Sequence, residues 1–129
     1  MSHGFFLFLT RDELLRIPFS NIVYFEGDGN YTTLMSINKI KSTLAMNLTQ
    51  TEHHLARSLK KNASLFMRVG KRFIINTEYI YSINTLRRFV ILSDGRTFAF
   101  RMEVSKEAVR KIRDIVLMLY SHELHDNNR

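Results

Sequence analysis

The stretch RVGKRFIIN, residues 68–76, joins two segments with opposite requirements. Its first half places Arg68, Lys71 and Arg72 around a glycine, and these cations require water or an anionic partner. Its second half, Phe73 to Ile75, is an apolar run of the kind found in a buried strand. The pattern therefore predicts a concentration of positive charge at the mouth of a buried strand.

The composition is that of one globular domain. The chain has 129 residues, 45% of them hydrophobic, and it has no cysteine, which excludes disulfides and thiolate metal ligands. No apolar run is long enough to span a membrane, and the N-terminal segment does not have the pattern of a signal peptide. We therefore expect a cytoplasmic protein with no membrane partner. We assign residues 1–120 to a single domain and expect residues 121–129 to form a disordered tail.

The net charge of +7 is concentrated in one part of the chain. Residues 68–113 contain eleven Lys or Arg against four Asp or Glu, whereas residues 114–129 contain one against three. A concentrated basic surface attracts polyanions such as nucleic acid or an acidic membrane. The alternative is a basic face that is simply solvated.

Short segments of strand character dominate the chain, and turn signals separate them. The Asp-Gly pairs in GDGN (27–30) and SDGR (93–96) predict tight hairpins. Residues 39–46 fit either a strand end or a loop. The predicted strands are 5–9, 13–19, 21–26, 31–37, 79–86, 89–92 and 97–101, with shorter extended pieces at 65–69 and 73–75.

Two helices interrupt the strands. The spacing of Thr49 and Glu52 fits a capping box at the start of the first helix. The second helix is predicted to begin near Ser105. The apolar stripes that we expect to face the core are Leu48, Leu55, Ala56 and Leu59 in the first helix, and Ala108, Ile112, Ile115, Val116 and Leu119 in the second.

The sequence contains no pattern that predicts catalysis or a cofactor. GDGN resembles the start of a calcium loop, but the pattern does not continue, and a hairpin turn explains it better. Neighbouring His53 and His54 would point to different faces of a helix, and no third metal ligand is suitably spaced. There is neither a nucleophile elbow nor a phosphate-binding glycine loop. We therefore expect a protein that is not an enzyme, with no cofactor, metal or small-molecule substrate.

Three binding functions fit the basic segment. Aromatic residues interleaved with cations, as in FAFR (98–101), can stack single-stranded nucleic acid. However, Phe98 and Phe100 alternate onto one face of a strand, so burial is the simpler explanation. Loops that present Lys and Arg to duplex DNA are the second possibility. A protein-interaction module is the third.

Three segments and the order of the elements resemble the LytTR DNA-binding domain of bacterial transcription regulators. The segments are NIVYFEGDGNYTTL (21–34), FMRVGKRFIINTEYIYSI (66–83) and VILSDGRTFAFR (90–101), and the resemblance extends over roughly residues 5–117. The family usually reads RVHRSYIVN where this chain reads RVGKRFIIN. The resemblance implies a mostly β fold (α+β by content), in which short strands form small packed sheets with two peripheral helices.

The same resemblance implies sequence-specific duplex DNA binding by a transcription regulator, with loops rather than a recognition helix entering the grooves. Family members often follow a receiver domain, which relates them to two-component signalling. The alternatives are a LytTR-like fold without base readout that acts as a protein-interaction module, and a single-stranded nucleic-acid binder. The DNA-binding residues implied by the resemblance are Asn30, Thr32, Thr33, Arg68, Lys71, Arg72 and Arg101.

Some of these residues also have simpler explanations. Gly70 replaces the family's His and cannot read a base, so base readout is expected to shift to Lys71 or Arg72. We favour Arg72 because its planar guanidinium can pair with two acceptors at once. Asn30 also fits plain turn chemistry, and Arg101 also fits a solvated strand end. Arg87 and Arg88 are interpreted as a solvated turn.

The last helix carries apolar residues that do not fit its core-facing stripe. Leu117 and Met118 lie off that stripe. Exposed apolar area often marks a partner surface. We therefore expect weak homodimer formation through this helix, which would suit repeated DNA sites.

Overall fold

The computed structural model describes residues 4–127, apart from the side chain of Ala63. Within this range the chain forms ten strands and two α-helices, joined by turns and short 3-10 segments. The strands are β1 (Phe5–Leu9), β2 (Leu14–Pro18), β3 (Ile22–Asp28), β4 (Tyr31–Ser36), β5 (Lys41–Leu44), β6 (Phe66–Val69), β7 (Phe73–Asn76), β8 (Ile80–Asn84), β9 (Phe89–Ser93) and β10 (Ala99–Glu103). The helices are α1 (Leu48–Leu59) and α2 (Lys106–Tyr120).

The strands form three antiparallel sheets. A five-stranded sheet has the order β5-β4-β3-β7-β6, and smaller sheets consist of β1-β2 and β10-β9-β8. This arrangement confirms the predicted mostly β fold with small sheets and two helices. It also resolves the ambiguous segment 39–46, of which residues Lys41–Leu44 form the edge strand β5.

Both faces of the five-stranded sheet are covered, which explains the continuous apolar run in β7. Ile74 packs with β1 and α1 in one buried cluster. Ile75 packs with the three-stranded sheet and α2 in a second cluster on the other face. Successive side chains of a strand point to opposite faces, so a strand covered on both sides needs apolar residues at consecutive positions. The interpretation of Phe73 to Ile75 as a core strand is therefore confirmed.

The capping box of the first helix lies two residues earlier than predicted. Asn47 is the N-cap residue, and its side chain accepts a hydrogen bond from the Gln50 N–H at 2.8 Å. The Gln50 side chain in turn accepts from the Asn47 N–H at 2.9 Å. The prediction of Thr49 with Glu52 was therefore wrong, because an equivalent pair lies two residues upstream. The predicted core residue Ala56 is exposed, and Thr51 is buried in its place.

The second helix begins where it was predicted, but only its first half is buried. The Ser105 side chain accepts from the Ala108 N–H at 3.1 Å. Ala108, Val109 and Ile112 are buried, whereas Leu119 is 47% exposed and so lies outside the core. The helix ends at Tyr120, and a 3-10 turn follows over Ser121–Glu123. The disordered tail stays a prediction, and its residues 128 and 129 lie outside the described range.

Candidate nucleic-acid interface

Two loops meet at one end of the five-stranded sheet. The tight β3–β4 turn consists of Gly29 and Asn30, since Asp28 still pairs with Tyr31. The second is the β6–β7 loop, residues 70–72. Strand β3 runs antiparallel to both β4 and β7, so these two connections lie side by side. A backbone hydrogen bond from the Gly27 N–H to the Arg72 carbonyl, 2.8 Å long, joins them.

The β6–β7 loop is tight, and Gly70 allows its backbone conformation. Gly70 has φ of +63°, in the left-handed region that residues with a Cβ seldom adopt. A Cβ added there would meet no atom within 4 Å, so backbone conformation and not crowding favours glycine. The chain then enters β7 at Phe73, which pairs with Val69 across the hairpin. The loop is thus short and anchored directly in the core.

Arg72 is held in place by a carboxylate of the neighbouring strand. Its Nε donates to Glu26 Oε2 at 2.7 Å, and its terminal nitrogen lies 2.5 Å from the same oxygen. The guanidinium carbon lies 5.2 Å from the centroid of the Phe73 ring. The Arg72 side chain is nevertheless 69% exposed. Arg72 is therefore oriented and still accessible from solvent.

Lys71 and Arg68 differ in their accessibility. Lys71 is exposed and makes no hydrogen bond or ion pair with any residue in the range 4–127. Arg68 is only 25% exposed and joins three parts of the structure. It donates to the Gly70 carbonyl at 2.9 Å and to Glu52 Oε1 of α1 at 3.0 Å. Arg68 therefore stabilises the backbone of the β6–β7 loop, and Lys71 is a cation of that loop without a partner in the described range.

The β4 candidates separate into exposed and buried residues. Asn30 is exposed at the turn, and Thr33 is half-buried opposite Glu26. Thr32 is fully buried, and its hydroxyl donates to the Met46 carbonyl at 2.9 Å. The structure therefore contradicts the assignment of Thr32 to a DNA-binding surface, because its side chain faces α1 and not solvent.

Arg101 lies on the three-stranded sheet and is also paired. Its Nε donates to Glu103 Oε2 at 2.7 Å, and its guanidinium carbon lies 3.9 Å from the centroid of the Phe89 ring. The segment Glu103 to Ser105 lines a shallow depression together with the β6–β7 loop. The structure thus brings Asn30, Lys71 and Arg72 together, with Arg101 on the adjoining sheet.

The aromatic residues of FAFR do not form an exposed stacking surface. Phe98 is buried and lies 5.5 Å from Phe100, whose ring packs against Tyr24 at the same distance between centroids. Burial, and to a smaller extent the charge on Glu26, raises the pKa of the Tyr24 phenol. These rings form part of the second buried cluster. The exposed aromatic residues on which the hypothesis of single-stranded nucleic-acid binding depended are therefore absent from FAFR.

A second group of cations, not singled out in the sequence, lies beyond Glu103 to Ser105. Lys106, Arg110 and Arg113 recur at helical spacing along α2 and line a groove with Arg88 of the β8–β9 turn. The spacing on α2 is visible in the sequence, but the contact with the turn depends on tertiary packing.

The histidines and acids do not form a metal centre in the described part of the chain. His54 Nε2 lies 3.0 Å from the Leu7 carbonyl. No cluster of three or more potential ligands suited to a metal ion occurs within residues 4–127. None of the helices in that range has the length and apolar character needed to cross a membrane.

The arrangement of three antiparallel sheets with two helices defines the class of domain. The sequence profile of the LytTr DNA-binding domain matches residues 12–116, most of the chain, and the protein therefore belongs to the LytTR DNA-binding domain family. A solved LytTr DNA-binding domain from Bacillus cereus, of a protein described as a methyl-accepting/DNA response regulator, has the same fold. It superimposes with a TM-score of 0.61 at 21% identity, covering 88% of this chain and 96% of that domain. No curated protein sequence matches this chain.

Proposed function

We propose that this domain binds duplex DNA sequence-specifically, as the DNA-contacting part of a cytoplasmic transcription regulator. The β3–β4 turn and the β6–β7 loop would enter the grooves. The observation that carries the proposal is the basic β6–β7 loop, anchored by a core strand beside a second exposed turn, in a member of the LytTR DNA-binding domain family.

The residues of this surface would have different tasks. Arg72 would read a base edge, because its planar fork is already oriented by Glu26 and remains exposed. Lys71 and Arg101 would contact phosphates, and Asn30 and Thr33 would line the approach. Arg68 would position the loop through the Gly70 carbonyl.

Selection of bound duplexes from a random pool tests this function directly. We expect enrichment of one motif and salt-dependent binding, since each phosphate contact releases counterions. Single-stranded competitors should displace the protein far less well than the matched duplex. Equal competition would favour the single-strand reading, and flat enrichment would favour a protein-interaction module.

We also propose weak self-association through the C-terminal half of α2. Met118 is 72% exposed and Tyr120 is 51% exposed, with Leu117 and Leu119 beside them. Removal of such side chains from water favours association. Sedimentation should show concentration-dependent dimerisation that Leu117→Ser with Met118→Ser abolishes. Only monomer at high concentration, with and without DNA, would contradict this proposal.

A further inference from the structure

A basic groove lies between the β8–β9 turn and the first half of α2. Its volume is about 360 Å³, and it is open to solvent. The side chains that line it are Thr85, Leu86, Arg88, Lys106, Arg110 and Arg113. Four of these six residues are cations and none is an acid. We refer to it below as the turn–helix groove.

Local structure holds both walls of the turn–helix groove in place. Arg88 has φ of +59°, in the left-handed region, and its carbonyl accepts a hydrogen bond from the Val104 N–H at 3.0 Å. This bond fixes the β8–β9 turn against the start of α2. Lys106, Arg110 and Arg113 are spaced by four and then three residues, so they share one face of the helix.

Most of the charge in the turn–helix groove is not neutralised. Arg113 pairs with Asp114 at 3.0 Å. Arg88, Lys106 and Arg110 make no ion pair within residues 4–127. Lys106 and Arg110 lie four residues apart on α2, and like charges at this spacing repel each other and destabilise a helix. An anionic partner would remove this repulsion.

The linear arrangement of the cations in the turn–helix groove favours a polymeric anion over a small one. Lys106 and Arg113 are separated by about 10 Å along the helix axis at 1.5 Å per residue. One DNA strand carries a phosphate for about every 3.4 Å of axis, so a row of this length matches several phosphates. The lining contains no aromatic ring on which a free nucleotide could stack.

The turn–helix groove adjoins the proposed DNA-reading surface. Residues Glu103 to Ser105 line a depression with the β6–β7 loop, and Val104 in the middle of this segment holds Arg88. Lys106, which lines the turn–helix groove, directly follows this segment in the chain, so these three residues connect the two basic regions. A duplex bound at the β6–β7 loop would therefore be an anionic polymer close to the turn–helix groove.

We propose that the turn–helix groove is a second, sequence-independent contact to the phosphodiester backbone of the bound duplex, made by Arg88, Lys106 and Arg110. The proposal rests on duplex binding by the β6–β7 loop. The β6–β7 loop would select the DNA sequence, and the turn–helix groove would increase the affinity for duplex DNA of any sequence.

The test compares Lys106→Gln with Arg110→Gln against a control of equal charge, Arg57→Gln with Lys111→Gln. The control positions are exposed and do not line the turn–helix groove. Affinity is measured by titration for the selected duplex and for a scrambled duplex, over a range of salt. Thermal melts first establish that both double variants are folded.

We expect the groove variant to lose on the order of tenfold in affinity at low salt, equally for both duplexes, and its salt slope to fall by about two units. The control should change both quantities much less. An unchanged affinity and slope would overturn the groove proposal while leaving duplex binding intact. Loss confined to the selected duplex would also overturn it. If the parent protein bound no duplex, the proposed function itself would fail, and this inference with it.

Discussion

The β6–β7 loop and the turn–helix groove are both basic, but they differ in how many of their cations pair with a carboxylate. At the β6–β7 loop, Arg72 and Arg68 are each paired with a carboxylate, whereas Lys71 is not paired within residues 4–127. By contrast, Arg88 and Lys106 have no acidic partner in the described chain. A paired arginine is oriented but must exchange its carboxylate for a ligand, so it suits discrimination. Unpaired cations attract any polyanion, so they suit affinity.

The largest effect should come from removing the core anchor of the β6–β7 loop. Ile74→Ala deletes a fully buried side chain and should lower the free energy of unfolding by about 2–5 kcal/mol. Urea unfolding measures this. Leu117→Ala, on the exposed end of α2, is the control and should change it by less than about 1 kcal/mol. A loss below 1 kcal/mol for Ile74→Ala would show that β7 is not packed as described.

Replacement of Arg72 tests whether the paired arginine discriminates between bases. Arg72→Ala should lose about 1–3 kcal/mol of binding free energy for the selected site and relax the preference at one position. Lys71→Ala is the matched comparison and should weaken all duplexes nearly equally, with a salt slope lower by about one unit. Titrations against the selected site and its single-base variants decide between them. If both variants kept the parent's affinity and preference, the β6–β7 loop would not be the reading element.

A smaller effect is expected from the carboxylate that holds Arg72. Glu26→Gln removes the ion pair and leaves Arg72 mobile but unpaired. Exposed ion pairs contribute about 0.2–1 kcal/mol, so affinity for a scrambled duplex should rise by up to about fivefold. The preference for the selected site should fall, because the guanidinium is no longer oriented. Glu107→Gln is the control, because it removes a negative charge beside Lys106 and not beside Arg72. It should raise affinity without lowering the preference for the selected site. A Glu26→Gln protein with full preference would mean that pairing does not orient Arg72.

Much of the fold could be predicted from local patterns. The Asp-Gly pairs mark two real hairpins, of which only the first has a two-residue turn, and the run Phe73 to Ile75 identifies an inner strand of the five-stranded sheet. The basic loop beside that strand was also located correctly. These features depend on backbone conformation and on burial of a few consecutive residues, which a sequence displays directly.

The errors arose where tertiary packing decides. The family resemblance placed Thr32 on the DNA-binding surface, yet Thr32 shares a strand face with Leu34, and α1 covers that face. This alternation is present in the sequence and could have indicated burial. Arg88 is an exposed turn residue, as interpreted, but nothing local shows that its carbonyl accepts a hydrogen bond from Val104 at the start of α2. The same limit hid the pairing of Arg72 with Glu26, 46 residues away.

The central claim, that selection and affinity reside in different basic regions, is tested most directly by a double-mutant cycle. Arg72→Ala, the Lys106→Gln with Arg110→Gln variant, and their combination are titrated against the selected and the scrambled duplex. Only the variants that lack Arg72 should lose sequence preference. The losses in binding free energy should add to within about 0.5 kcal/mol, as expected for independent sites. Loss of preference in the groove variant alone, or strong coupling between the two changes, would contradict the account.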